Sequence, residues 1–174
     1  FGRRRLERAK LLTFGISSLL FAGALAVAAS SLVLAAWNDL RSFTIPNRSC
    51  AVIVAAYSLA LFQLPAAHWM AGLAVGTVVL LLGSALFARQ WVGGGDVKLA
   101  AATALWAGPA FIDQFLMVMS AGGALLATAI VATPVARLLG GAGAPVEEFN
   151  QPMPFGVPIA AGGLWVLALH FTSI

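Results

Sequence analysis

The run LLTFGISSLLFAGALAVAASSLVLAAW, residues 11–37, carries no charge across 27 positions. As an α-helix rising ~1.5 Å per residue it reaches about 40 Å, more than the ~30 Å hydrocarbon core of a bilayer. RRRLERAK precedes it at positions 3–10 and NDLRSFTIPNRS follows it at 38–49. A basic start before an apolar run also fits a signal peptide, and Ala26-Val27-Ala28 has the A-x-A form of a cleavage site. A signal-peptide core, however, is only about 7–15 residues long. The length therefore predicts a permanent span, and the basic cluster reads as an anchor to anionic headgroups rather than a nucleic-acid footprint.

The rest of the chain follows the same pattern. Of 174 residues, 61% are hydrophobic and 9% charged, against roughly 45–50% and about 25% in soluble domains. That excludes an ordinary water-soluble domain. The ten basic and six acidic residues fall between apolar runs, and the expectation is an all-α polytopic bundle of about six transmembrane helices. Their expected bounds are 11–37, 46–64, 69–88, 97–110, 115–136 and 155–171, in one integral-membrane domain spanning 1–174. Pro46 suits a first helical position, Pro65 closes the second span, and the glycine run 93–95 and Gly108-Pro109 interrupt later helices. Gly72 and Gly76, four apart, let helices approach closely and predict that the third span packs inside the bundle. Residues 137–154 read as a Gly/Pro-rich loop holding Glu147 and Glu148. The lone cysteine, Cys50, excludes an internal disulfide and a multi-cysteine zinc site. The expectation is no metal and no cofactor.

Each span carries the chain to the opposite side. The loops after spans one, three and five therefore share one face, with Asp39, Asp96, Glu147 and Glu148 on it. His68, Asp113 and His170 fall on the other. This parity disfavours a Ser-His nucleophile or a His-ligated metal beside the carboxylates. Lys and Arg divide evenly between the faces, five and five, so the positive-inside rule sets no orientation.

A lone acid at a helix end is ordinarily a solvated interfacial charge, and an aspartate opening a helix is ordinarily a cap. Asp39 and Asp96 say more together. They share a face, both stand where charge is costly, and three glycines precede one of them. Two neighbouring aspartates cannot easily both ionise and so share a proton. One then acts as base toward water while the other polarises a carbonyl. Such a pair hydrolyses a peptide bond without metal or covalent nucleophile, and it titrates as a unit.

Asp39-Leu40-Arg41-Ser42-Phe43-Thr44-Ile45-Pro46-Asn47 and Gly93-Gly94-Gly95-Asp96-Val97-Lys98-Leu99 resemble the two signatures of the type IV prepilin peptidases, D-x5-I-P-N and G-x-G-D-x-K-L. The later Pro154-Phe155-Gly156 is also similar to that family, and the short chain most resembles its Flp-type, tight-adherence branch. The resemblance implies that Asp39 and Asp96 are the catalytic pair, with Pro46, Asn47, Gly93, Gly95 and Lys98 as motif support. It implies an aspartyl endopeptidase in the bacterial inner membrane, acting near the cytoplasmic face on prepilins and pseudopilins with a basic leader and an apolar helix. The odd loops then face the cytoplasm and the basic N-terminus faces out.

Other residues admit simpler readings. Lys98 either snorkels to headgroups or tunes Asp96. Glu147 and Glu148 are ordinary loop charges that would also attract a basic leader. A dyad of Ser42 or Ser49 with Lys98 has the right parity but no supporting spacing. The tryptophans at 37, 69, 91, 106 and 165 read as an interfacial belt, and Cys50 as a packed small residue. Two other functions remain in view. A presenilin-like or signal-peptide-peptidase-like protease shares G-x-G-D but pairs its first aspartate with a preceding tyrosine, where this chain has Asn38. A non-catalytic transporter or pilus-assembly scaffold would use the aspartates to bind protons or cations. Larger members of the resembled family also N-methylate their product. With one cysteine and no glycine-rich strand-to-helix turn for a nucleotide-like methyl donor, the expectation here is cleavage alone.

Overall fold

The computed structural model describes residues 2–60, 66–139 and 153–172, and every regular element among them is an α-helix. The helices are α1 (Gly2–Ser42), α2 (Asn47–Ala60), α3 (Ala66–Ala88), α4 (Gly94–Leu139) and α5 (Gly156–Thr172). Three stretches are long and apolar enough to cross a membrane: Ser17–Ser42, Trp69–Ala88 and Gly94–Ile130; Gly156–Thr172 is a shorter apolar helix.

Two expected boundaries are corrected. The first helix was expected to end at residue 37, but no breaker intervenes and α1 runs on to Ser42. It stops where Phe43 turns left-handed, φ +49°, and donates its N–H to the Asp39 carbonyl at 2.9 Å. Asp39 therefore sits inside the last turn of α1 rather than beyond it. The expected gap between 110 and 115 is also absent. Within α4 only Gly108 leaves helical geometry, at φ +53°, and Pro109 restarts the helix because a first helical position needs no N–H. Residues 61–64 of the second expected span and residues 140–152, with Glu147 and Glu148, lie outside the described residues.

That single glycine reverses the chain. The first arm of α4, residues 94–107, starts near α5's beginning, Gly95 and Gly156 both lying against Ile45, and near its end the Trp106 carbonyl meets His170 Nε2 at 2.7 Å, close to the end of α5. Phe111, just past the break, stacks edge-on against the same His170 ring at 5.1 Å. The second arm then returns, since a Cβ at Gly123 would touch Phe155 and one at Gly122 would touch Pro158. With α4 divided at Gly108, six helical segments alternate in direction. Phe21, Tyr57, Trp106, Phe111 and His170 gather at one end of the bundle.

Between the ends lies a core of Ala28, Leu32, Ala35, Ile53, Ala56, Leu99, Phe115, Ile159 and Val166. Ser31 Oγ donates to the Ser49 carbonyl at 3.0 Å and pins α1 to α2. Helix α3 is not interior, contrary to expectation. Gly72 and Gly76 do face α4, where a Cβ would run into the Leu105 carbonyl or side chain. This glycine seam is narrow, however, and Leu80, Leu81 and Leu82 are exposed. Lipid tails are as apolar as leucine, so a membrane helix gains little by hiding its leucines from them.

Candidate active site

The end of the bundle opposite His170 collects both signature segments. Asp39 occupies the final turn of α1, where unpaired carbonyls give the helix its negative pole and an acid is normally disfavoured. It is nonetheless only 4% exposed. What offsets this is α5, whose first amide, Gly156 N–H, donates to Asp39 Oδ2 at 2.7 Å across 117 residues of sequence. The positive pole of one helix thus faces an acid stranded at the negative pole of another.

Asp96 is not the residue that caps α4. Gly93 is the cap residue, its carbonyl accepting from Val97 N–H at 3.1 Å, and Asp96 stands in the first turn of α4. There its carboxyl accepts a hydrogen bond from the Gly93 main chain, the reach-back of a capping box. The two acids flank Ile45, Asp39 beside Gly156 and Asp96 beside Gly95.

Ile45 lies between the two segments. Its side chain sits where a Cβ on Gly95 would come within 3.1 Å and a Cβ on Gly156 within 3.0 Å. Asn47, the last residue of the first signature, accepts from Lys98 Nζ of the second at 3.1 Å. Pro46 precedes α2 and caps it through its carbonyl, which accepts from Ser49 N–H at 3.0 Å. The structure therefore brings Asp39, Ile45, Pro46, Asn47, Gly93, Gly95, Asp96 and Lys98 to one end of the bundle. Lys98 fastens the two segments through Asn47. Ser42 Oγ bonds the Asn38 carbonyl and Thr44 Oγ1, and Lys98 Nζ bonds Asn47 Oδ1, so a Ser42–Lys98 pair is not formed. His170 lies with Phe21, about 27 Å along α1 from Asp39 at ~1.5 Å per residue. Among the described residues no three of His, Cys, Asp and Glu cluster as a metal site would require.

The profile of the type IV leader peptidase family matches residues 26–133, which include both aspartates. The chain belongs to the type IV leader peptidase family. It is 31% identical, over 153 residues and 87% of its length, to a prepilin leader peptidase/N-methyltransferase of Bacillus subtilis (strain 168), and it spans 56% of that relative's length. No solved structure matches it. The family match ends before Gly156 and α5.

Sequence reasoning passed over two residues that shape the site. Ile45 was only a motif letter, and Gly156 belonged to a family-like segment with no partner; the sequence signal was their place in quoted motifs, and nothing local tied either to an acid. The tryptophans divide. Trp37 and Trp91 are exposed and lie under Arg41 and Arg89, with guanidinium-to-ring distances of 4.4 and 5.6 Å, as interfacial residues would. Trp106 is instead buried, its Nε1–H donating to the Ile53 carbonyl at 3.2 Å.

Proposed function

We propose that this chain is a membrane-embedded aspartyl endopeptidase that removes leader peptides from Flp-type prepilins and pseudopilins, with Asp39 and Asp96 as its catalytic pair. The observation that carries this reading is the convergence of the two acids at one end of the bundle, on either side of Ile45, each with an oxygen held by a glycine N–H. One carboxyl draws a proton from water while the other protonates the scissile carbonyl oxygen; collapse of the tetrahedral adduct returns a proton to the leaving amine and resets the pair. No metal or cofactor enters the scheme. The six alternating segments are read as six membrane spans of the inner membrane, in a single domain, with the site near the cytoplasmic face. Lys98 and Asn47 hold the two signature segments together, and the substrate supplies a basic leader followed by an apolar helix.

The experiment is co-expression with a small Flp-type prepilin in a host lacking other prepilin peptidases, read by mass spectrometry of the pilin. A new terminus at the leader junction, bearing a free amine, is expected. Unprocessed pilin would refute the peptidase reading, and a methylated terminus dependent on this chain would reveal a second activity.

The orientation has its own test. In a Cys50→Ala background, Ser42→Cys and Ala88→Cys are expected to resist an impermeant thiol reagent added outside cells, while Ala110→Cys labels. Labelling of Ser42→Cys and Ala88→Cys on opposite sides would break the parity on which the site depends.

A further inference from the structure

We propose that Gly156 is a positioning residue for the catalytic pair: its main-chain N–H, the first of α5, fixes the Asp39 carboxylate at the end of the bundle that also holds Asp96. This rests on the peptidase reading above. The first N–H groups of a helix have no partner within it and must find one elsewhere. In α5, Pro158 has no N–H, Val157 and Ile159 donate to the Pro154 and Phe155 carbonyls at 3.3 Å, and Gly156 donates to Asp39 Oδ2 at 2.7 Å. A bond this short between an amide and a carboxylate belongs to the stronger, charge-assisted class.

The surroundings leave little room for any other arrangement. A Cβ at position 156 would stand 2.8 Å from Asp39 Oδ2, 3.1 Å from Asp39 Cβ and 3.0 Å from Ile45 Cδ1. Only glycine brings this amide so close. Ile45 in turn backs onto Gly95, next to Asp96. Displacement of α5 would therefore move Asp39 directly and the Asp96 segment through Ile45. The competing explanation is that Asp39 merely caps α5, with structural consequences and no catalytic ones.

The two are separated by placing glycolic acid at position 156, which exchanges the N–H for an ester oxygen and adds no atoms. The expected result is a loss of at least about tenfold in kcat for leader cleavage, with KM within about twofold and the folded fraction unchanged, as misorientation of a catalytic group predicts. Gly162→Ala is the comparison. Its Cβ would press on the Phe115 carbonyl at 2.9 Å, away from both acids, so thermal stability falls while kcat per folded molecule holds. A second arm needs no cleavage. In glycine-labelled protein in lipid nanodiscs, the Gly156 amide is expected to exchange slowly with solvent deuterium, and to lose that protection in Asp39→Ala. Unchanged kcat in the ester variant, or a Gly156 amide equally fast in both proteins, overturns the proposal. Absence of cleavage by the unmodified protein overturns the peptidase reading and this role together, a protected amide then marking a structural cap only.

Discussion

Asp39→Asn and Asp96→Asn are each expected to lower leader cleavage at least about a hundredfold while the protein still inserts and folds, since general acid–base catalysis contributes ~10²–10⁴. Asparagine is close to aspartate in shape, and its carbonyl oxygen still accepts from Gly156 N–H, so the 2.7 Å bond to α5 survives in Asp39→Asn. What is lost is the capacity to hold and pass a proton. Asp39→Ala makes a different prediction. It strands the buried amide, costs about 1–3 kcal/mol, and so lowers the thermal midpoint as well as activity. Cleavage assays on purified variants beside thermal unfolding in detergent check both. Substantial turnover by either asparagine variant would dispose of the shared-proton mechanism.

Gly95→Val is expected to lower kcat by about a hundredfold, the scale of effect that a displacement of ~1 Å produces in a reacting geometry. The first side-chain carbon would already stand 3.1 Å from Ile45 Cβ, and the two methyl groups would drive Ile45 toward Gly156 and Asp39. Other glycines calibrate the result. A Cβ at Gly23 would meet nothing within 4 Å, so Gly23→Ala leaves turnover unchanged. A Cβ at Gly72 would lie 2.6 Å from the Leu105 carbonyl oxygen and also strike the Tyr57 hydroxyl. Gly72→Ala therefore loses stability, with the rate per folded molecule kept. Near-normal kcat in Gly95→Val would mean that the glycine run only starts a helix.

The membrane character and the two acidic segments were legible because they are local properties. An uncharged run of 27 residues specifies a span whatever surrounds it, and each signature is contiguous. Parity, a counting argument, placed Asp39 with Asp96 and His170 apart from them, and the contacts of His170 with Phe21 and Phe111 agree. The end of α1 was misplaced because Asn38, Asp39 and Arg41 look like the start of a loop. A helix that lies near a membrane surface carries such residues without unwinding, and the stop comes from the left-handed Phe43, a residue whose side chain gives no hint of that backbone. Glycine and proline at 108 and 109 signalled an interruption correctly. That it takes one residue rather than several is a feature of the fold, where His170 of α5 meets the Trp106 carbonyl beside the break, a distant contact invisible to local pattern. The two glycines of α3 suggest an interior helix, but one glycine seam fixes only one side of a helix.

The bond between Asp39 and Gly156 also bears on biosynthesis. The two residues are separated by 117 positions, and at ~5–20 residues per second a ribosome takes roughly 6–23 s to travel between them. For that interval the acid at the end of α1 exists without the helix pole that holds it, while the bilayer is already receiving the earlier segments. On the peptidase reading proposed above, leader cleavage is expected only once the last described helix is made, rather than with either aspartate. A chain arrested before α5 is then expected to insert and to cleave nothing.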